Sequence, residues 1–236
     1  MRGIATFGSS EAVPAICRAL EYGGDRKFRR DAIEVLGELG DRSAVPFLIQ
    51  AVNRWGDTAA IRVLLELGGR DAEDAVIRQV NDGHDWRTSD LAASVLGEKG
   101  ITSAMPALRQ FLEISDSSYS IQVAAMALNQ LGDTITGPEL TEWLRQGSSD
   151  QRWRAAIALR ELGDGSANEA LLNGLRDPEV EVRREAARSL GRKGDDEAIA
   201  TLTAAMDDVD ERVREEARRA LGLLAKRQWG ARSTAL

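Results

Sequence analysis

One cysteine, Cys17, and one histidine, His84, are all that this chain of 236 residues contains. No internal disulfide can form, so the fold requires no oxidising compartment. With a single histidine and no cysteine beside it, the common nitrogen and sulfur ligand sets of zinc and iron are also absent. His84 falls in the polar turn 81–85 and reads as a solvated loop side chain. Apolar runs are short. None approaches the roughly 20 residues a membrane span needs, and no charged-then-apolar leader precedes a small-residue cleavage site, so no membrane partner and a cytoplasmic location are expected. Positive charge is in deficit as well, with 31 lysines and arginines against 38 aspartates and glutamates, a net charge of −7. A nucleic-acid partner is therefore disfavoured, because phosphates are usually met by an excess of cations. A local basic stripe could still override that average. No stretch alternates apolar and polar residues as a half-buried strand does.

What the chain does contain is a repeat. Its clearest copy is DPEVEVRREAARSLGRKGD at 177–195. Aspartate caps the free N–H groups of a helix start and proline tolerates the first turn, while glycine stops a helix because it adopts positive φ without cost. Laying this stretch over the rest picks out the helix-ending residues Gly8, Gly40, Gly68, Gly100, Gly132, Gly163 and Gly194, with Ala225 in the last place. Four residues before each stands an apolar side chain: Ile4, Leu36, Leu64, Leu96, Leu128, Leu159, Leu190 and Leu221. Proline recurs six residues after the marker as Pro14, Pro46, Pro106 and Pro138. Two registers kept in phase over the whole length are not a product of composition.

Each unit reads as two helices. The first begins near Ser10, Ser43, Ala72, Thr102, Thr136, Ser166 and Asp196; the second ends in segments such as EVLGELG, SVLGEKG and IALRELG. About seven pairs fit. The second unit is four residues short around Trp55-Gly56-Asp57, since Gly40 to Gly68 spans 28 residues where Gly68 to Gly100 spans 32. Met1 to Gly8 reads as the tail of a helix from an upstream, truncated repeat. The last helix, 210–228, reads as a terminal cap with a charged outer face.

The pattern of an Asp-rich turn, Val-Arg, paired alanines, Leu-Gly and then Gly-Asp resembles the HEAT repeat, in the short variety named after phycobilisome lyases. It is fullest in Asp177 to Gly194 and in Asp208 to Gly222, where Val182-Arg183 and Val213-Arg214 supply the Val-Arg pair. The resemblance implies an all-α fold, a right-handed α-α superhelix in which residues 1–236 form a single solenoid. First helices would lie on the convex side and second helices would line the concave side. It also implies that the arginine eleven residues before the marker, here Arg29, Arg152, Arg183 and Arg214, ties neighbouring units together through the turn aspartates Asp41, Asp133, Asp164 and Asp195.

Catalytic constellations are missing. HEAT-like hydroxylases that bind two irons carry repeated His-Glu pairs, and this chain has none. Cys17 sits among Ala15, Ile16 and Ala19 without a partner base, the setting of a packed thiol rather than a nucleophile. Asp207, Asp208, Asp210 and Glu211 share a turn but lack the glycine-centred spacing of a calcium loop. Arg183, Arg184, Arg188, Arg192 and Lys193, interrupted by Glu181 and Glu185, form a salt-bridged face rather than a phosphate track. No catalytic residue, metal ligand or cofactor is assigned.

The concave surface carries the functional expectation. Positions ten, nine, six and two before the marker should oppose the buried stripe of each second helix. In the first and sixth units they are ordinary charged faces. In the middle units they include Leu91, Val123, Met126, Trp153, Arg154 and Ile157, with Trp86 and Tyr119 extending the strip along its rim. An apolar strip with aromatic anchors and a flanking arginine is typical of protein and peptide recognition surfaces. The reading is a non-enzymatic scaffold for a protein or peptide partner. Family resemblance alone implies two alternatives. One is a bilin lyase or chromophore chaperone, holding a tetrapyrrole in the apolar groove with its propionates on Arg154. The other is a HEAT-like DNA-repair glycosylase, whose expected basic surface the sequence does not show.

Overall fold

The computed structural model describes residues 9–21, 25–82, 85–162, 167–193 and 195–233. Among them are fourteen α-helices and no strand, and the helices fall into seven pairs. The first helices are α1 (Ser9–Glu21), α3 (Val45–Trp55), α5 (Arg70–Asp82), α7 (Met105–Ile114), α9 (Thr136–Gln146), α11 (Ala167–Gly174) and α13 (Asp196–Ala204). Their partners are α2 (Arg26–Leu39), α4 (Thr58–Leu67), α6 (Trp86–Glu98), α8 (Ser118–Gln130), α10 (Ser149–Leu162), α12 (Val180–Lys193) and α14 (Glu211–Ser233).

The capping residues act as their chemistry dictates. Asp25, Asp57, Asp85 and Asp195 each accept a hydrogen bond from a backbone amide in the first turn of the helix they precede. Gly40, Gly68, Gly100 and Gly132 take φ between 66° and 75°, the left-handed conformation that a non-glycine residue resists. The markers Gly8, Gly163 and Gly194, His84 and the expected helix tail at 1–8 lie outside the described residues. The short second unit has a local cause. Gly56, at φ 58°, ends α3 and Asp57 caps α4 immediately, and α4 is only 10 residues long.

The chain divides into two compact units, 1–111 and 112–236. In the first, α2, α4 and α6 pack in a row, with α3 and α5 packing as neighbours in a second layer. The other unit repeats the plan, with α8, α10, α12 and α14 in one row and α9, α11 and α13 in the next. Apolar residues four before the marker fill both cores: Leu36, Leu64, Leu96, Leu128, Leu159 and Leu190 are wholly buried. Small residues let the rows come close. A Cβ on Gly191 would stand 2.8 Å from the Ala220 backbone, so α12 and α14 meet there with no room for a methyl group.

Arginine does tie consecutive repeats together, but through different aspartates from those expected. Arg152 grips Asp177 with two nitrogens at 2.6 and 3.0 Å, and Arg183 grips Asp208 at 2.8 and 3.0 Å. Each arginine therefore reaches the turn inside the following pair rather than the turn between pairs. A third nitrogen donates backward, from Arg152 to the Gly147 carbonyl at 3.0 Å and from Arg183 to the Asp177 carbonyl at 2.9 Å. Hydrogen bonding to the carboxylate raises both guanidinium pKa values. Asp41, Asp133 and Asp195 are instead occupied by backbone amides of the next helical segment; Asp164 lies outside the described residues. Arg29, in the first unit, lies 5.3 Å from the centre of the Trp55 ring.

Candidate partner-binding surface

The eight residues expected in the groove part into three environments. In the first unit, Trp86 opens α6 and is 61% exposed, with the Arg87 guanidinium 5.1 Å from its ring centre, while Leu91 is half-buried. In the second, Tyr119 and Met126 stand 60% and 41% exposed on α8. Seven residues apart, they share one face of the helix. Trp153, in the neighbouring helix α10, is half-buried.

Three expected residues are not on an open surface. Ile157 is wholly buried and Val123 nearly so. The cause is the position of α10, which packs against α8, α9 and α12 and is buried at every residue from Arg154 to Arg160. A helix covered on three sides has no single buried stripe, and the register rule that placed Ile157 outward fails. Arg154 is buried too. Its Nε donates to Asp150 at 2.9 Å, one terminal nitrogen pairs with Asp116 at 3.3 Å, and the other donates to the Ser115 carbonyl. It clamps α10 to the segment preceding α8, and its donors are spent inside the protein.

The charged faces of the later repeats are also not ordinary. Glu185 is almost wholly buried on α12 and is flanked by Arg184 at 3.1 Å and Arg188 at 3.0 Å. Arg188 reaches across to Glu216 on α14 at 3.1 Å, and Arg192 reaches Glu161 on α10 at 2.7 Å. Two sets of ion pairs thus stitch three second helices, one joining α12 to α14 and the other α12 to α10. Hydrogen bonding to Glu216 raises the Arg188 pKa, whereas burial lowers that of Arg160, against the opposing pull of Glu161 and Glu185. The Asp208 turn is likewise structural, since Asp208 is held by Arg183 and Asp210 by Arg212. Cys17 is buried, a packed thiol.

One feature of the first unit was not legible from net charge. A cleft of about 790 Å³ lies at the starts of α2, α4 and α6. Arg26, Lys27, Arg29, Arg30 and Arg87 line it, against the carboxylates of Asp57 and Asp85. Trp55 forms part of its wall. Both carboxylates cap helices, Asp57 accepting from Ala59 N at 3.1 Å and Asp85 from Thr88 N at 2.8 Å. The Thr88 amide, with help from Arg87, holds the Asp85 carboxyl below the usual range although desolvation opposes it. A usable sequence signal was present: the first turns of α2 and α6 carry Arg26, Lys27 and Arg87 and no acidic residue.

Helices in consecutive pairs, packed as two layers within each unit, with glycines at positive φ closing the first four pairs, define an α-α repeat protein. The profile of HEAT repeats matches residues 1–58 and 137–222, and the chain belongs to the HEAT-repeat family. Among solved structures it is similar to human deoxyhypusine hydroxylase in complex with glycerol, at 19% identity over 91% of this chain and 96% of that one, TM-score 0.46. It is similar also to the complex of CpcE and CpcF of phycocyanin lyase from Nostoc sp. PCC7120, at 24% identity over 91% of this chain and 88% of that chain, TM-score 0.45. An engineered protein matches at 20% identity over 91% and 96%, TM-score 0.40. No curated protein matches the chain in sequence. Among the described residues no helix is long and apolar enough to cross a membrane, and no group of three or more histidine, cysteine, aspartate or glutamate side chains is placed to hold a metal ion.

Proposed function

We propose that the chain is a non-enzymatic scaffold that grips a protein or peptide segment on the outer face of its second helices. The carrying observation is the pair Tyr119 and Met126, large and exposed on one face of α8, beside a packed neighbour that presents the half-buried Trp153. Large apolar side chains left out of the core at the middle of an interface are where binding free energy concentrates. Further along the same row the polar side chains are engaged with one another in the Glu185 network, which leaves α8 and the start of α10 as the adhesive part of the second unit. Trp86 and Leu91 offer a separate apolar point on the first unit. Neither the bilin nor the glycosylase reading is favoured by an observation, and the former loses the arginine on which its propionates would rest.

The test is a peptide selection against the full chain from a random display library. Selected peptides should lose about tenfold or more in affinity to a Tyr119→Ala/Met126→Ala variant whose melting temperature is unchanged. Peptides that bind parent and variant alike would place the adhesive surface elsewhere.

A further inference from the structure

The basic cleft of the first unit has no role in the scaffold reading. We propose that it is a binding site for a phosphate monoester. Five cationic side chains face two carboxylates there, in a chain whose net charge is −7. Arg26 and Lys27 form no ion pair among the described residues, and Arg30 meets only Glu34 on its own helix, at 3.8 Å with both side chains largely exposed. Trp55 positions Arg29 by carrying its guanidinium over the ring.

These cations sit where folding alone would not put them. The first turn of a helix is the positive end of its dipole, where acids are favoured and bases disfavoured. Eight other helices, α1, α5 and α9 to α14, carry an acid in that turn. At the cleft, α2 and α6 carry Arg26, Lys27 and Arg87 there instead. Local choices that oppose stability gather at functional sites. Each aspartate cap already takes one first-turn amide, from Phe28, Ala59 and Thr88, and the cationic side chains supply the charge of the cleft.

The size and charge of the cleft select the ligand. An excess of three positive charges confined to one pocket suits a single group of about −2, which a phosphate monoester carries above its second pKa near 6. A run of phosphodiesters would need a basic track extending beyond the pocket. The volume leaves room for the carrier of the phosphate, either a phosphorylated side chain of a polypeptide or a small phosphorylated metabolite.

Calorimetric titration of the full chain decides. The probes are glycerol 3-phosphate, a short capped peptide containing phosphoserine, and duplex DNA. At least one monoester should bind saturably with Kd below about 1 mM and weaken as the pH falls through about 6. Arg26→Ser/Lys27→Ser should weaken it about tenfold or more, and so should Arg87→Ser from the facing helix, with melting temperatures confirming that both variants fold. Arg78→Ser, an exposed cation outside the cleft, should change nothing. Tighter binding of the peptide assigns a polypeptide ligand, and tighter binding of glycerol 3-phosphate a metabolite. Absence of saturable monoester binding, equal weakening by Arg78→Ser, or binding of DNA alone would each overturn the proposal.

Discussion

At Arg183 two nitrogens hold Asp208 and a third holds the Asp177 carbonyl, with both charged groups nearly out of water. Removing one partner of such a pair leaves the other desolvated and alone, so Arg183→Ala should cost about 3 kcal/mol in urea unfolding. Arg183→Lys should recover only part of this, because an ammonium cannot reproduce the bidentate fork. Burial by itself would raise the Asp208 carboxyl pKa, but the Arg183 hydrogen bonds, the Asp210 amide and the Arg183 charge together bring it below the usual value. An unfolded aspartate titrates near 3.9. The stabilisation is therefore complete above about pH 4 and drains away as the pH falls through the lower folded value. Asp208→Asn should start less stable and lose less between pH 5 and pH 2; an identical acid response would refute the assignment. Ile157 and Met126 test the surface in the same way. Ile157→Ala should cost about 2 to 5 kcal/mol by opening a cavity, while Met126→Ala should stay within about 0.5 kcal/mol. Equal melting temperatures for the two would contradict the burial described above. Sequence alone could not separate these residues, since both occupy the same register position, six before the marker, and only the neighbours of α10 make the difference.

Helices were the legible level. Caps and stops are local chemistry: an aspartate before a helix and a glycine at positive φ after it work through the few backbone groups beside them, so their spacing announces every pair in advance. Packing between helices is not local, and here glycine means something else. Gly191 lies inside α12, where alanine would ordinarily gain helix propensity worth about 1 kcal/mol. A methyl there would meet the Ala220 backbone at 2.8 Å, so Gly191→Ala should instead destabilise by about 1 to 3 kcal/mol as α12 and α14 are pushed apart. Gly222, in α14, has nothing within 4 Å of the same added atom, and Gly222→Ala should be neutral or stabilising by up to about 1 kcal/mol. Thermal melts of both variants give the comparison, and a destabilised Gly222→Ala would show that the helix is set by something other than this contact. Ion pairs also explain why the Arg183 to Lys193 strip is no track for phosphates: Arg183, Arg184, Arg188 and Arg192 are engaged by Asp208, Glu185, Glu216 and Glu161.

On the scale of the whole molecule the repeat count was readable because each unit needs its own start, stop and buried leucine, whereas the cleft was hidden by averaging, its five cations cancelled in the sum by acids elsewhere. The final helix carries Val213, Ala217, Ala220 and Leu224 into the core of the second unit. Deleting residues from Asp210 onward should strip cover from Leu190 and Leu202 and end cooperative melting or cause aggregation; a sharp transition at the parent temperature would show that α14 is dispensable. The arginine grips add a property that a list of contacts does not convey. Each runs forward, from one repeat to the turn of the next, so the array has a direction and its two ends are not equivalent when broken. A chain cut at Lys193 keeps Arg183 but loses Asp208, leaving a guanidinium that no accessible pH can neutralise. One that begins at Ala167 keeps Asp177 but loses Arg152, and that carboxylate still accepts from the Glu179 amide at 2.9 Å. In urea unfolding the first cut should therefore cost more than the second, because only it strands a buried charge with no charged partner and no way to shed its charge.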